Sequence, residues 1–276
     1  MIIIKINKKI YIISLIIAAL MYPQTILSII NNAKNIYIAK QLSMIHMESE
    51  NKDIDTNNDK TKIVFMFDGG WKSIYLDAYK IMNKYKYQGN IAIIPSLIGT
   101  EEHLSYNQLS KLYLQGWELL NHSYYHKNDM YDKCDDLLSD FNKAKKWMEN
   151  RYIGKSSNKI VMPYGEINPY LINQLKNIGY HSIRTSDNIL ILDSDKIQYH
   201  PVTVVNLLAY ISVDEVKDIL IQNQSKDKTI IFILNRIQDT DDGLESIYSK
   251  EKLQQIISFI NENEDKFQVI TYSQIF

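Results

Sequence analysis

The sequence predicts an α/β domain in which strands and helices alternate along the chain. Three observations carry that prediction. Ile63-Val64-Phe65-Met66-Phe67 is an unbroken apolar run, the pattern of a strand buried on both faces. Ser73 to Tyr85 then places Ile74, Ala78, Ile81 and Met82 at helical spacing. This exchange of period recurs to the C-terminus, and repeated βα units imply a parallel sheet with right-handed crossovers. Seven or eight such units in a chain of 276 residues fit a closed or distorted (β/α) barrel better than an open sheet.

The remaining elements follow in order. Ile91 to Leu97 reads as a strand, Leu104 to Leu114 as a helix and Trp117 to Leu120 as a short strand. Asp132 to Met148 is a long amphipathic helix carrying Leu137, Leu138, Phe141 and Ala144. Ile160 to Met162 is a strand, and Pro169 opens a helix that runs to Ile178. Ser182 to Arg184 and Pro201 to Val205 are shorter strands, and Val213 to Ile221 is a helix. Thr229 to Leu234 is a strong strand, Leu253 to Ile260 a helix and Val269 to Thr271 a last strand.

Composition sets outer bounds. A net charge of −1 gives no reason to expect nucleic acid as a partner. The single cysteine, Cys134, excludes an intramolecular disulfide and a cysteine-rich zinc site. Its acidic neighbours Asp132, Asp135 and Asp136 would raise a thiol pKa, so it is not read as a nucleophile.

The N-terminus has a separate character. Lys5, Lys8 and Lys9 precede an apolar run from Ile10 to Met21, and apolar residues resume from Ile26 to Ile30. Residues 1–30 therefore read as a signal peptide or an uncleaved signal anchor, oriented with the body of the protein outside the membrane. Residues 31–60 form a linker that is polar from Glu48 to Lys60, and the domain spans 61–276.

The chain has six histidines, and His122 and His126 stand four residues apart just past an apolar run. At that spacing two rings lie on one face of a helical turn and can share one metal ion. In a barrel the loops after each strand open at one end. Asp68-Gly69-Gly70, His122 to His126, Met162-Pro163-Tyr164-Gly165 and Asn235-Arg236 all close a strand and would converge on one cleft.

These segments resemble the polysaccharide deacetylase family, the NodB-homology carbohydrate esterases (carbohydrate esterase family 4-like). Phe67-Asp68-Gly69-Gly70-Trp71 resembles the first family motif, usually Phe-Asp-Asp-Gly followed by an aromatic residue. His122-Ser123-Tyr124-Tyr125-His126 matches the second, His-Ser/Thr-x-x-His, in full. Pro163-Tyr164-Gly165 matches the end of the third, and Ile231 to Ile237 resembles the fifth. The resemblance implies a distorted barrel that removes N- or O-acetyl groups from cell-surface amino-sugar polymers with a divalent metal, most often zinc. It places Asp68 as general base and His122 and His126 as metal ligands. Trp71, Pro163, Tyr164 and Gly165 line the substrate cleft, and a backbone N–H near Tyr164 serves as oxyanion donor.

The sequence departs from the family pattern at three positions. Gly69 stands where the carboxylate ligand belongs, which weakens the expected zinc site. Asn235 stands where the family has its general acid, and an amide cannot deliver a proton. Val161 and Met162 stand where an arginine often precedes Pro-Tyr-Gly. Asp129 or Glu166 are the nearby acids able to replace a lost ligand. His103, His181 and His200 read as loop or surface residues, and Asp239 to Gly243 as a solvated turn without the full calcium-loop pattern. Three readings follow: a deacetylase with a degraded metal and acid set, a catalytically inactive relative that binds glycan in the same cleft, or a structural envelope protein that uses the barrel only as a scaffold.

Overall fold

The computed structural model describes residues 59–127, 134–193, 195–226, 228–239 and 246–276. The segment 1–30 and nearly all of the linker 31–60 lie outside the described residues, as do Asp129 and most of the turn 239–243.

Strand β1 (Thr61–Asp68) is followed by a π-helical stretch, Ile74–Ala78, that runs directly into α1 (Tyr79–Asn83). Then come β2 (Asn90–Ile93), α2 (Tyr106–Leu114), β3 (Glu118–Asn121), α3 (Cys134–Glu149), β4 (Lys159–Val161) and α4 (Pro169–Asn177). Three strands follow without intervening helices: β5 (Ser182–Arg184), β6 (Ile189–Leu192) and β7 (Ile197–His200). The chain continues as β8 (Thr203–Asn206), α5 (Val213–Gln222), β9 (Thr229–Leu234), β10 (Arg236–Ile237) and β11 (Ile247–Tyr248). It ends with α6 (Lys250–Glu262), β12 (Phe267–Val269) and a 3₁₀ turn at Tyr272–Ile275.

Helix boundaries follow side-chain chemistry. Ser105 and Gln108 form a capping box at the start of α2, and Ser212 and Glu215 form one at α5. Asn168 caps α4, whose first residue is Pro169.

The main sheet runs β7-β6-β5-β4-β3-β2-β1-β9-β8, with β12 also pairing the first residues of β1. All pairs are parallel except β5–β6 and β6–β7. Ladder sense therefore reverses twice, so β7 and β8 run the same way. Only Pro201 and Val202 separate them, yet β7 pairs with β6 and β8 with β9. The two ends of the sheet are thus consecutive in the chain, and the strand changes neighbours at a proline. No ladder joins them among the described residues, so the expected (β/α) barrel is found as a mainly parallel sheet with helices.

The alternation along β1 fixes two layers. Ile63, Phe65 and Phe67 pack in the large cluster with the helices, including Leu109, Leu220 and Ile257. Val64 and Met66 face the opposite way, into a cluster with Ala92, Leu120, Val161, Ile231, Ile233 and Tyr272. Continuing the period of two along β1 and β9, Asp68 and Asn235 come next on this inner face. Two residues beyond Leu120, His122 is placed likewise. The far end of the inner layer is closed by the C-terminal turn. Asn90 Oδ1 accepts from Tyr272 N at 2.7 Å, and buried Glu118 accepts from Ser273 N at 2.8 Å.

Candidate active site

The histidine pair does not sit on a helical turn. Residues 122–126 form a loop in which Ser123 (φ 61°) and His126 (φ 50°) take left-handed conformations. The loop is held at several points. Asn121 Oδ1 accepts from Ser123 N at 3.0 Å, while its Nδ2 donates to Phe141 O and Ser157 O. Ser123 Oγ accepts from His126 N at 3.0 Å. Asp140 on α3, buried, accepts from Tyr124 N at 2.8 Å and Tyr125 N at 2.9 Å through one oxygen. The result brings the two rings together at 4.5 Å between centroids.

His122 is buried, and its Nδ1 lies 2.7 Å from Val161 O. A carbonyl only accepts, so Nδ1 carries the proton and Nε2 keeps its lone pair. Burial pushes the His122 pKa down to about 4; the His126 ring adds to the fall and the Asp68 charge opposes it. Burial also lowers the His126 pKa. Both imidazoles are neutral near pH 7, as metal ligands must be.

Asp68 ends β1 in an ion pair. Its Oδ2 accepts from Arg184 Nη2, and the arginine is only 3% exposed. Its Oδ1 is buried and has no hydrogen-bond partner among the described residues. Arg184 lies opposite Val161 in the β4–β5 register, and neighbours in register share a face. The guanidinium missing from the third motif is therefore supplied one strand over. The sequence contains Arg184 in a predicted strand, but nothing in the linear pattern discloses a lateral pairing.

The third-motif loop lies against the histidines. The Tyr164 ring stands 4.6 Å from that of His126, and its hydroxyl donates to His126 O at 3.2 Å. Tyr164 itself is left-handed (φ 58°). Gly165 has φ +79°, and a Cβ there would meet Ser186 at 2.7 Å, so only glycine fits.

Trp71 is held by its surroundings. Its indole stacks on His103 at 4.4 Å, and the Arg236 guanidinium lies over the ring at 5.2 Å. His103, expected in a loop or at the surface, lies in the loop before α2 but is buried, which lowers its pKa. His181 and His200 are half-buried, each near the Phe276 ring. A cavity of about 540 Å³ opens beside Trp71, bordered by Glu101, Glu102, Arg236 and Lys250 rather than by Asp68 or the histidine pair. Asn235 follows β9, half-buried, and Glu166 is exposed.

The family resemblance implies a divalent ion, and the residues fit it only in part. Two neutral imidazoles, His122 among them with its Nε2 away from the Val161 bond, suit one. The third ligand does not fit: no group of three histidine, cysteine or acidic side chains able to hold an ion occurs among the described residues. Gly69, where the carboxylate is expected, has φ +96°.

Comparison with known proteins supports the resemblance. Residues 55–183 match the family model described as polysaccharide deacetylase. A poly-beta-1,6-N-acetyl-D-glucosamine N-deacetylase of Staphylococcus aureus (strain MRSA252) is 28% identical over 138 residues, 44% of this chain and 46% of that protein. The chain thus spans about half the length of the curated relatives it matches. The structure of peptidoglycan deacetylase PdaC from Bacillus subtilis superposes with a TM-score of 0.55 at 18% identity, covering 80% of this chain and 92% of that one. The Xyl-CE4 domain of a multidomain xylanase from the hindgut metagenome of Trinervitermes trinervoides gives 0.51 at 17% identity, covering 79% and 90%. At these identities the structural likeness is one of fold. With the motif residues gathered at one end of the sheet, residues 55–183 of this chain are similar to the polysaccharide deacetylase family, whose model they match.

Proposed function

We propose that the domain is a polysaccharide deacetylase-like hydrolase acting on N- or O-acetyl groups of cell-surface amino-sugar polymers. The observation that supports this most is Asp68. One of its oxygens is pinned by Arg184 while the other is buried without a partner among the described residues. An unmet buried oxygen costs about 1–3 kcal/mol, and a general base needs such an oxygen. Asp68 would take the proton of the attacking water, with the backbone near Tyr164 donating to the oxyanion. Asn235 would hydrogen-bond the leaving nitrogen, and Asp68 would return the proton taken from water to that nitrogen as the C–N bond breaks; the missing general acid slows the reaction by roughly 10²–10⁴. A divalent ion, zinc first, would be held weakly by His122 and His126; when bound it would polarise the acetyl carbonyl. The relative's named polymer, poly-β-1,6-N-acetylglucosamine, supports an amino-sugar substrate. The N-terminal segment, as signal or anchor, would deliver the domain outside the membrane.

Gly69 and Asn235 favour a second reading, a glycan-binding relative without hydrolysis. The cavity beside Trp71, rich in charged groups, suits a polyhydroxylated ligand. Acetate release from N-acetylglucosamine oligomers by the full chain, with added zinc, separates the two. The hydrolase reading requires release that Asp68→Asn abolishes. No release, with oligomer binding that depends on Trp71 or Tyr164, establishes the second reading instead.

A further inference from the structure

We propose that Trp71, rather than the loss of a carboxylate alone, closes the third metal-ligand position of this cleft. A Cβ built on Gly69 would lie 2.7 Å from Trp71 Nε1 and 3.2 Å from its Cδ1. Real Cβ atoms essentially never approach another atom within 3.0 Å. A flexible side chain would swing aside, but this indole cannot do so freely. It stacks on His103, lies under Arg236, and Trp71 forms an antiparallel bridge with His103. His103 is buried in turn, and its Nδ1 is tied to Thr100 Oγ1 at 3.0 Å. The backbone at Gly69 (φ +96°) strains any aspartate there whether or not Trp71 is present, so it lowers the stability of every Gly69→Asp variant without itself closing the slot. The slot where a carboxylate would emerge is therefore filled by an indole N–H, a donor where a cation needs an acceptor. Gly69 and Trp71 form one coupled replacement, and among the described residues an ion in this cleft meets two histidines and no third ligating side chain.

This inference concerns the ion alone; acetate release by the wild-type chain tests the functional reading separately. The experiment is a zinc titration by calorimetry on the full chain with Gly69→Asp, Trp71→Ala, Trp71→Leu and the Gly69→Asp double variants. Thermal unfolding of each variant accompanies it. Gly69→Asp alone should bind zinc no better than wild type and unfold at a lower temperature. Combined with Trp71→Ala or Trp71→Leu it should gain on the order of 10- to 100-fold in affinity, and His122→Ala should remove that gain. Tight binding by Gly69→Asp alone would show the slot to be open. No gain in a folded double variant, or a gain that survives His122→Ala, would equally overturn the proposal.

Discussion

Arg184 on β5 pairs with Asp68 at the end of β1, and the guanidinium is nearly inaccessible to solvent. Replacing it with methionine keeps the volume and strands a buried carboxylate. The expected cost is about 3–5 kcal/mol in urea unfolding. Adding Asp68→Asn should recover much of that loss, because no charge is left to compensate. A double variant as unstable as Arg184→Met would refute the pairing.

Asp140 holds the loop carrying both histidines from beneath. Asp140→Ala leaves the part-buried Tyr124 and Tyr125 N–H groups without their acceptor, at a cost toward the lower end of about 1–3 kcal/mol. Hydrogen exchange should quicken in residues 122–126 well before the sheet is affected. Unchanged protection there would mean that the loop holds its shape without Asp140.

Acid should destabilise the domain through His122. An unfolded histidine gains its proton near pH 6.5, whereas in the fold His122 does so only near 4. Between those values the unfolded chain binds more protons, so stability rises with pH. The loss on acidification from 6.5 to 4 amounts to about 3 kcal/mol for this residue. Denaturant midpoints at both pH values should draw closer together in His122→Gln.

The C-terminal turn acts as a plug. Removing residues 272–276 uncovers Asn90 and Glu118 and deletes Tyr272, which is fully buried. A truncated chain should unfold at lower denaturant and be cut by protease far faster. Equal resistance would show the plug to be dispensable.

Much of this was legible in advance. The buried strands β1 and β9 announce themselves as apolar runs, and each predicted helix is present with its ends shifted by a few residues. The antiparallel β6 and β7 were not predicted, because they interrupt the βα alternation on which the reading depends. His122, His126 and Asp68 were marked by local spacing and motif. Arg184 was not, because its partner lies 116 residues away and its position is set by sheet register. The histidine segment was placed after a strand, as found, but its rings were expected to meet across a helical turn. Spacing of four suits a helix, but the side chains of Asn121, Ser123 and Asp140 satisfy the backbone in another way.

The strand that changes partners at Pro201 has a consequence for solubility. A free sheet edge is a template on which other chains can pair and aggregate. Here the outer strands β7 and β8 are joined by two residues, so His200 and Thr203 lie within about 11 Å of each other. Proline at the junction offers no N–H to an intruder.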